Sequence, residues 1–558
     1  VPPRHHRPGF FRVSASWLDI AQAPDMRAGE LRGQNERVRL AGVTLLGAEL
    51  APAAATTGPC RRRRHGRHVG SHCRASHGGH CIFCERTLGG DLIPRPAVSP
   101  PLALLSSNRM RHNVPYRTGQ QLTKRPRVLI IVQNLPVPFD RRVWLECQTL
   151  VKAGYEVAVV CPKGPGDPKR SVLEGVELYK YRPYAPGGSK SSFLFEYAYS
   201  FLATLWCSLR AAASGRPSAV QACNPPDIFW PIGLLFKMLF RARFVFDHHD
   251  LCPELFQSRF PDGSKAAYRA LLALERLTVK TSDHVIETNG SYQQVDIARN
   301  GAHPERTTVV RTGPDPQRLR PISPVPALKR GRSHLVAYIG VMGPQDGVDI
   351  ALRVADTVVN AMGRTDVSFT LMGSGDCWRD LVKMRDALGL AEYVELPGRV
   401  PDGTVAAVLS TADIGISPDP KNALNDVSTM NKTMEYMAFG LPVLAFDLRE
   451  TKVSAGEAGA YATPNDVTDM AKILIELLDD EPRRKAMGAA GRARVEAVLA
   501  WQHQAERYLA VYNSLHAGTA MAHSSSVVLP NYRAPARRTN AGEGPRELRV
   551  ALKTEKAQ

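Results

Sequence analysis

RVLIIVQNLPVPFDRRVWLECQTLVKAGYEVAVVC, residues Arg127–Cys161, is the stretch that decides the fold. It opens with RVLIIVQ (Arg127–Gln133), a nearly unbroken aliphatic and β-branched run. That pattern suits a parallel strand buried on both faces. A helical stretch follows from Asp140 to Ala153 and ends at Gly154. A second strand, Tyr155–Cys161, then runs into the turn Pro162–Pro165. Strand, helix, strand in this order is one βαβ unit, and the same alternation spreads outward. Ala219–Cys223, Arg243–Asp247, His284–Thr288 and Thr307–Arg311 read as further strands, with helical segments at Ser192–Ala213 and Ala267–Thr281 between some of them. A basic, Pro-rich linker occupies residues 317–333. The alternation restarts at Leu335–Ile339 and continues through Val367–Met372, Tyr393–Leu396, Ile414–Ser417 and Pro442–Phe446 to a long helical stretch, Val467–Leu515. The expected fold class is therefore α/β, with two Rossmann-like, doubly wound domains at 125–316 and 334–515. Ligands of such sheets bind beyond the carboxyl ends of the strands, so two facing domains make one cleft.

The ends read differently. Residues 1–124 mix Pro, Arg, His and Ala without a sustained period, and 516–558 form a similar tail; both are expected to be disordered extensions. Met110 offers an alternative start, and a chain beginning there is expected to behave like the whole. The formal charge of +19 would suggest nucleic acid. Its placement argues against that partner: residues 1–109 carry a net +9 and 517–558 a net +4, which leaves +6 for the folded part. Cys81-x-x-Cys84 with His77 and His80 suggests zinc, but a second ligand pair at finger spacing is missing. Six other cysteines, Cys147, Cys161, Cys207, Cys223, Cys252 and Cys377, lie in apolar segments and read as core residues of a reducing compartment. The apolar run between Glu196 and Arg210 is too short to span a bilayer, which needs about 20 residues. With no signal-peptide pattern at the start, the expected location is cytoplasmic.

The chemistry concentrates in NALNDVSTMNKTMEYMAFGLPVLAFDLRE, Asn422–Glu450. A polar loop leads to an expected helix from about Thr429 to Phe439, with Ser428 or Thr429 as N-cap, Gly440 as terminator and Pro442 opening a strand. The unpaired N–H groups of such a first turn, with the helix dipole, make an anion site. Lys432 adds a cation, and Glu435 lies three residues later on a neighbouring part of the same face. A nucleoside diphosphate suits this pattern: phosphates at the helix start, a ribose diol at Glu435. The plainer reading is a surface Lys–Glu pair on an amphipathic helix.

On these residues the segment resembles the donor-binding element of the retaining GT-B glycosyltransferases of family four. That element has two glutamates eight positions apart. Glu435, Ala438, Gly440, Pro442 and Val443 fit its second half, whereas Val427 stands where the first glutamate belongs. Asp426 is the nearest substitute for that sugar-contacting carboxylate. The loop after the first strand of the second domain supplies an Arg and a Lys in the family; here Gly340–Asp349 has neither. Gly340 and Gly343 allow close backbone approach, and Lys432 and, less directly, Arg311 are the candidate phosphate cations. With the Asn-Asp-x-Ser-Thr-Met-Asn-Lys run and Pro138–Trp144, this variant is similar to an exopolysaccharide and cell-envelope branch. In the Asp247-His248-His249-Asp250 run, which ends a buried-type strand as the family's His-Asp pair does, His249 matches the histidine that approaches the donor sugar; Glu254, Asn289 and Ser291 are further cleft candidates. Gly375 of Gly373-Ser374-Gly375 resembles a nucleotide-side turn, and Arg399 with Val400 is the pair expected to frame the base.

The resemblance, over residues 125–515, implies a hexosyltransferase with a nucleotide-sugar donor and a glycan or lipid-linked acceptor. It implies retention without an enzyme nucleophile, electrostatic stabilisation of the departing diphosphate, and no cofactor or metal, since no Asp-x-Asp occurs in this region. Phe193–Leu209, and Ile228–Phe240 with Arg241 and Arg243, are either peripheral contacts with the inner membrane surface or packed crossover helices. A sugar-nucleotide 2-epimerase of the same fold and an inert GT-B-like partner subunit are the competing readings.

Overall fold

The computed structural model describes residues 125–184, 190–315, 318 and 320–516. The two extensions, with the candidate zinc cysteines and the Met110 start, lie outside the described residues. Two sheets carry the described chain. The first contains β1 (Arg127–Ile131), β2 (Glu156–Pro162), β3 (Arg170–Leu173), β4 (Val176–Tyr181), β5 (Ala219–Cys223), β6 (Arg243–His248), β7 (His284–Glu287) and β8 (Thr307–Val309). Their spatial order is β3-β4-β2-β1-β5-β6-β7-β8, parallel except for the β3–β4 pair. The second holds β9 (His334–Ile339), β10 (Val367–Met372), β11 (Val394–Gly398), β12 (Ile414–Ser417), β13 (Val443–Phe446) and β14 (Gly459–Ala462), all parallel, in the order β11-β10-β9-β12-β13-β14. Each sheet is doubly wound. Strand order reverses between β1 and β5 in the first and between β9 and β12 in the second, and the crevices that bind ligands open at such reversals.

The apolar runs explain the strands. Every residue of β1, β5, β10, β12 and β13 is buried, as expected where helices cover both faces. Sequence reading missed β3, β4 and β14. Arg170–Tyr181 is a hairpin whose turn residues Glu174 (φ 47°) and Gly175 (φ 83°) are both left-handed, the geometry a tight two-residue turn requires. Its strands carry Glu177 and Lys180 among their apolar residues, and β14 (GAYA) has no β-branched side chain to announce it.

The stretch Val467–Leu515 is three helices rather than one. Val467–Asp479 and Glu481–Arg494 start at the side-chain caps Asp466 and Asp480, and Pro482 sits in the first turn of the latter. The third, Trp501–His516, crosses back to the first sheet. Trp501, Tyr508, Val511 and Tyr512 join Val128, Ile130, Val143 and Val157 in one core, and Trp501 Nε1 donates to Thr149 Oγ1 at 3.0 Å. The boundary drawn at 334–515 is thus corrected: the final helix completes the first domain's core.

Candidate functional site

The carboxyl-terminal edges of the two sheets face each other, and chemistry-bearing side chains line both. On the first edge, the loop after β1 ends at Asp140. Its Oδ1 accepts from Val143 N at 3.1 Å and caps the helix Arg141–Lys152. Burial raises the Asp140 carboxyl above its usual range. The next turn brings Arg142 under the end of β6. Arg142 NH2 donates to Asp247 Oδ1 at 2.8 Å, and its Nε lies 3.0 Å from Glu146. The guanidinium's NH1 also donates to Val310 O and Thr312 Oγ1, tying β6 to the end of β8. Beside Arg142, Asp247 is held well below the usual carboxylate range against the opposing effect of burial.

His249 sits at the end of β6, with Nε2 2.7 Å from Asp247 Oδ2. With that nitrogen committed to the carboxylate, Nδ1 is the ring atom left for a ligand. Behind it runs a chain of polar groups. Gln221 Nε2 donates to Asp247 Oδ2 at 3.0 Å and to Glu146 at 2.7 Å, while the Tyr508 and Tyr512 hydroxyls both donate to Gln221 Oε1. The final helix therefore reaches His249 through Gln221 and Asp247. Cys223, Asp247 and His249 also form the one group of three or more such residues, among those described, whose ligand-type atoms all lie within 4.8 Å of one another. The Arg142 guanidinium, 3.1 Å from His249 Nε2, already places a positive charge there.

On the facing edge three loops meet at the start of the helix Asn431–Ala438. Gly373, at φ 149°, lies so close to Gly340 that a Cβ would come within 1.8 Å of Gly340 O; one on Gly375 would meet Met342 O at 2.6 Å. Here the Gly-Ser-Gly turn is required by backbone contact, not only by turn geometry. Gly343 N donates to Asp346 Oδ2 at 2.9 Å. Burial pushes the Asp346 carboxyl up to about 7, although Lys432 pulls it down.

The helix begins two residues later than expected. Its N-cap is Met430, which makes no side-chain cap, so the reading of Ser428 or Thr429 as cap is corrected. Ser428 Oγ is 2.8 Å from the Tyr292 hydroxyl, and Thr429 Oγ1 accepts from Arg311 NH1 at 3.3 Å. Lys432 is not a surface residue. Its Nζ lies 2.6 Å from Asp419 Oδ1, with side-chain exposures of 8% and 1%, and 5.2 Å from the Tyr338 ring centre. Glu435, raised by burial, faces out of the helix and accepts from Arg141 NH1 of the first domain at 3.1 Å. Alongside, the Arg399 guanidinium stacks on Phe139 at 4.1 Å.

Other predicted residues bind the two edges together. Asn289 Nδ2 donates to Val427 O, Ser291 Oγ to Glu450 Oε1, and Arg311 NH2 to Glu450 Oε2. Leu251, Tyr292 and Leu424 add an apolar contact across the same line. Asp426 accepts from Arg449 N at 3.0 Å and lies 3.4 Å from Lys421, and Glu254 is engaged by Arg299. Sequence reading gave no individual role to Arg141, Arg142 and Asp247, and missed Gln221, Asp419 and Glu450 as site residues. The first two lie in the Pro138–Trp144 run and Asp247 in the strand-end run that drew notice; Glu450 closes the Asn422–Glu450 segment, and for Asp419 only its position just after β12 pointed to the cleft.

Residues 140–313 match the family model described as glycosyl transferase 4-like domain, and residues 333–480 match that of glycosyl transferases group 1. A D-inositol 3-phosphate glycosyltransferase of Thermomonospora curvata is 28% identical over 264 residues, covering 43% of this chain and 59% of the relative. A GDP-mannose-dependent monoacylated alpha-(1-6)-phosphatidylinositol monomannoside mannosyltransferase of Corynebacterium glutamicum is 32% identical over 174 residues, 31% of this chain and 45% of the relative. The chain thus spans about half the length of these curated relatives. Among solved structures, a sucrose-phosphate synthase from Thermosynechococcus elongatus superimposes with a TM-score of 0.57 at 18% identity, over 70% of this chain and 100% of its own. WaaG, a glycosyltransferase involved in lipopolysaccharide biosynthesis, gives 0.53 at 16%, over 69% and 99%. These likenesses establish the shared GT-B fold.

Proposed function

We propose that the chain, whose first domain matches a glycosyl transferase 4-like domain and whose second matches glycosyl transferases group 1, moves a sugar from a nucleoside diphosphate sugar to a glycan or lipid-linked acceptor, with retention of configuration and without a divalent metal, in building cell-envelope or exopolysaccharide. The observation that carries this reading is the meeting of the Gly340 and Gly373 loops at the start of the helix Asn431–Ala438, opposite His249. Close backbone approach and a helix N-terminus suit a diphosphate, and Glu435 one turn on suits a ribose diol. His249, fixed by Asp247, offers Nδ1 to a hydroxyl of the sugar. Charge that develops on the departing diphosphate is then met by N–H groups already in place, which lowers the barrier without reorganisation. The similar HepE of Anabaena, whose structures hold UDP and UDP-glucose, supports the donor class.

A lipid-linked acceptor at the cytoplasmic face of the membrane fits the helix Lys190–Ser214, which packs Phe201, Leu205 and Ala211 on the core yet leaves a large apolar face outward. Glu196, Ser200, Thr204 and Ser208 face inward, while Phe195, Tyr199, Leu202, Trp206 and Leu209 face out, Phe195, Leu202 and Trp206 each more than 60% exposed. Leu234, Met238 and Leu239 extend the exposed apolar surface on Trp230–Phe240, beside Arg241 and Arg243. No helix among the described residues is long and apolar enough to cross a membrane, so contact would be peripheral.

The test is a panel of sugar nucleotides with EDTA present, scored by thermal stabilisation and by transfer to polyprenyl-phosphate-linked sugars in anionic vesicles. A ligand at a hundred times its dissociation constant adds about 2.7 kcal/mol. The reading expects one nucleotide class to stabilise the protein and an α-linked product from an α-linked donor. Stabilisation by none of them, an inverted product, or transfer only after magnesium or manganese is restored would each remove the corresponding part.

A further inference from the structure

The loop Gly340–Asp349 carries no Arg or Lys. Lys432 gives its charge to the buried Asp419 at 2.6 Å, and Arg311 is engaged with Glu450 at 3.2 Å. A diphosphate at the start of Asn431–Ala438 would thus find both of these cations already paired. One arrives from the other side. Arg141 opens the helix Arg141–Lys152, next to the cap Asp140 whose carboxylate fixes the turn. Its side chain is 47% exposed and reaches across the cleft to Glu435 at 3.1 Å and Asp402 at 3.6 Å. Arg318 also pairs with Asp402, and Arg399, stacked on Phe139, feels the charges of both Arg141 and Asp402, so three guanidiniums stand around two carboxylates at this corner. The positive excess lies one helical turn from the N-terminus of Asn431–Ala438, within the swing of an arginine side chain.

We propose that Arg141 is the diphosphate-binding cation of this enzyme, supplied by the first domain in place of the missing Arg and Lys of the second. The proposal rests on the donor-site reading above. When ribose hydroxyls donate to Glu435 they replace the guanidinium there, and Arg141 turns onto the phosphate oxygens, where its planar fork forms charge-assisted hydrogen bonds. One exchange thus couples ribose recognition on one domain to phosphate recognition from the other. Binding of the diphosphate then draws the two domains together.

The experiment measures calorimetric affinities of uridine, UMP and UDP, and of guanosine, GMP and GDP, for the wild type, Arg141→Gln and Arg141→Lys, with melting temperatures confirming that each folds. Arg141→Gln should weaken the diphosphate about tenfold or more while leaving the nucleoside unchanged or tighter, because Glu435 is freed. Arg141→Lys should recover part of the loss. The split between nucleoside and diphosphate is what a contact with phosphate predicts and a merely structural latch does not. Equal weakening of nucleoside and diphosphate, or an unchanged diphosphate affinity in Arg141→Gln, overturns the proposal. A wild type that does not prefer diphosphate to nucleoside in either series removes the donor site itself, a failure separate from that of Arg141.

Discussion

Replacing Lys432 with methionine tests whether this lysine holds the second domain together before it serves any ligand. The variant keeps the length of the side chain and removes its charge. Asp419, 1% exposed, then loses its partner at 2.6 Å and keeps only Ser417 Oγ, also at 2.6 Å. Breaking a buried ion pair from one side costs roughly 3–5 kcal/mol, a large part of a domain's usual 5–15. A second buried acid adds to it. Asp346 titrates at about 7, raised mainly by burial and lowered by Lys432. A carboxyl whose folded pKa lies above its unfolded value stabilises the fold fully below about pH 4, and that contribution is lost as pH rises through 7. The ionised form near neutral pH costs roughly 4 kcal/mol against an unshifted acid. Without Lys432 the Asp346 pKa moves higher and the losing window extends further upward. Urea denaturation followed by circular dichroism at pH 5 and pH 8 should therefore show Lys432→Met less stable at both, with the wider gap at pH 8. Adding Asp419→Asn should restore most of the loss, and Asp346→Asn should flatten the slope between pH 4 and 7. A loss below about 1 kcal/mol, or a double variant no better than the single, would refute the assignment of Lys432 to a buried pair.

Two further outcomes follow from contacts on either side of the cleft. Gly373→Ala should cost at least about 3 kcal/mol and abolish nucleotide binding, since its Cβ would fall 1.8 Å from Gly340 O at a left-handed φ; a folded variant with unchanged nucleotide-induced stabilisation would count against the loop contact. Ending the chain at Ala500 should unfold the first domain, because Trp501, Tyr508, Val511 and Tyr512 leave its core; hydrogen exchange should lose protection in β1 and β5 first, and retained protection there would show that the final helix is peripheral.

What sequence could give, and what it could not, follows from range. The strand Arg127–Ile131 declared itself because burial on both faces demands an uninterrupted apolar run, and the helix Asn431–Ala438 because its glycine, proline and carboxylate are local signals. Pairing partners are not local. Lys432 reads as an exposed cation one turn into a helix until Asp419, thirteen positions earlier, is found beneath it. Arg141 and Glu435 are 294 positions apart, and nothing in either neighbourhood announces the other. The cap at Ser428 or Thr429 failed for a related reason: both hydroxyls are claimed from across the cleft, Ser428 by Tyr292 and Thr429 by Arg311, so the helix starts without a side-chain cap. The final helix is the sharpest case. Its apolar and aromatic spacing fixes a helix, but not which sheet it covers, and that choice decides its role. Because Tyr508 and Tyr512 land on Gln221, and Gln221 on Asp247, a segment at the end of the fold holds His249 in place at the end of β6. A domain boundary drawn by counting strands would have cut this polar chain from the site it supports.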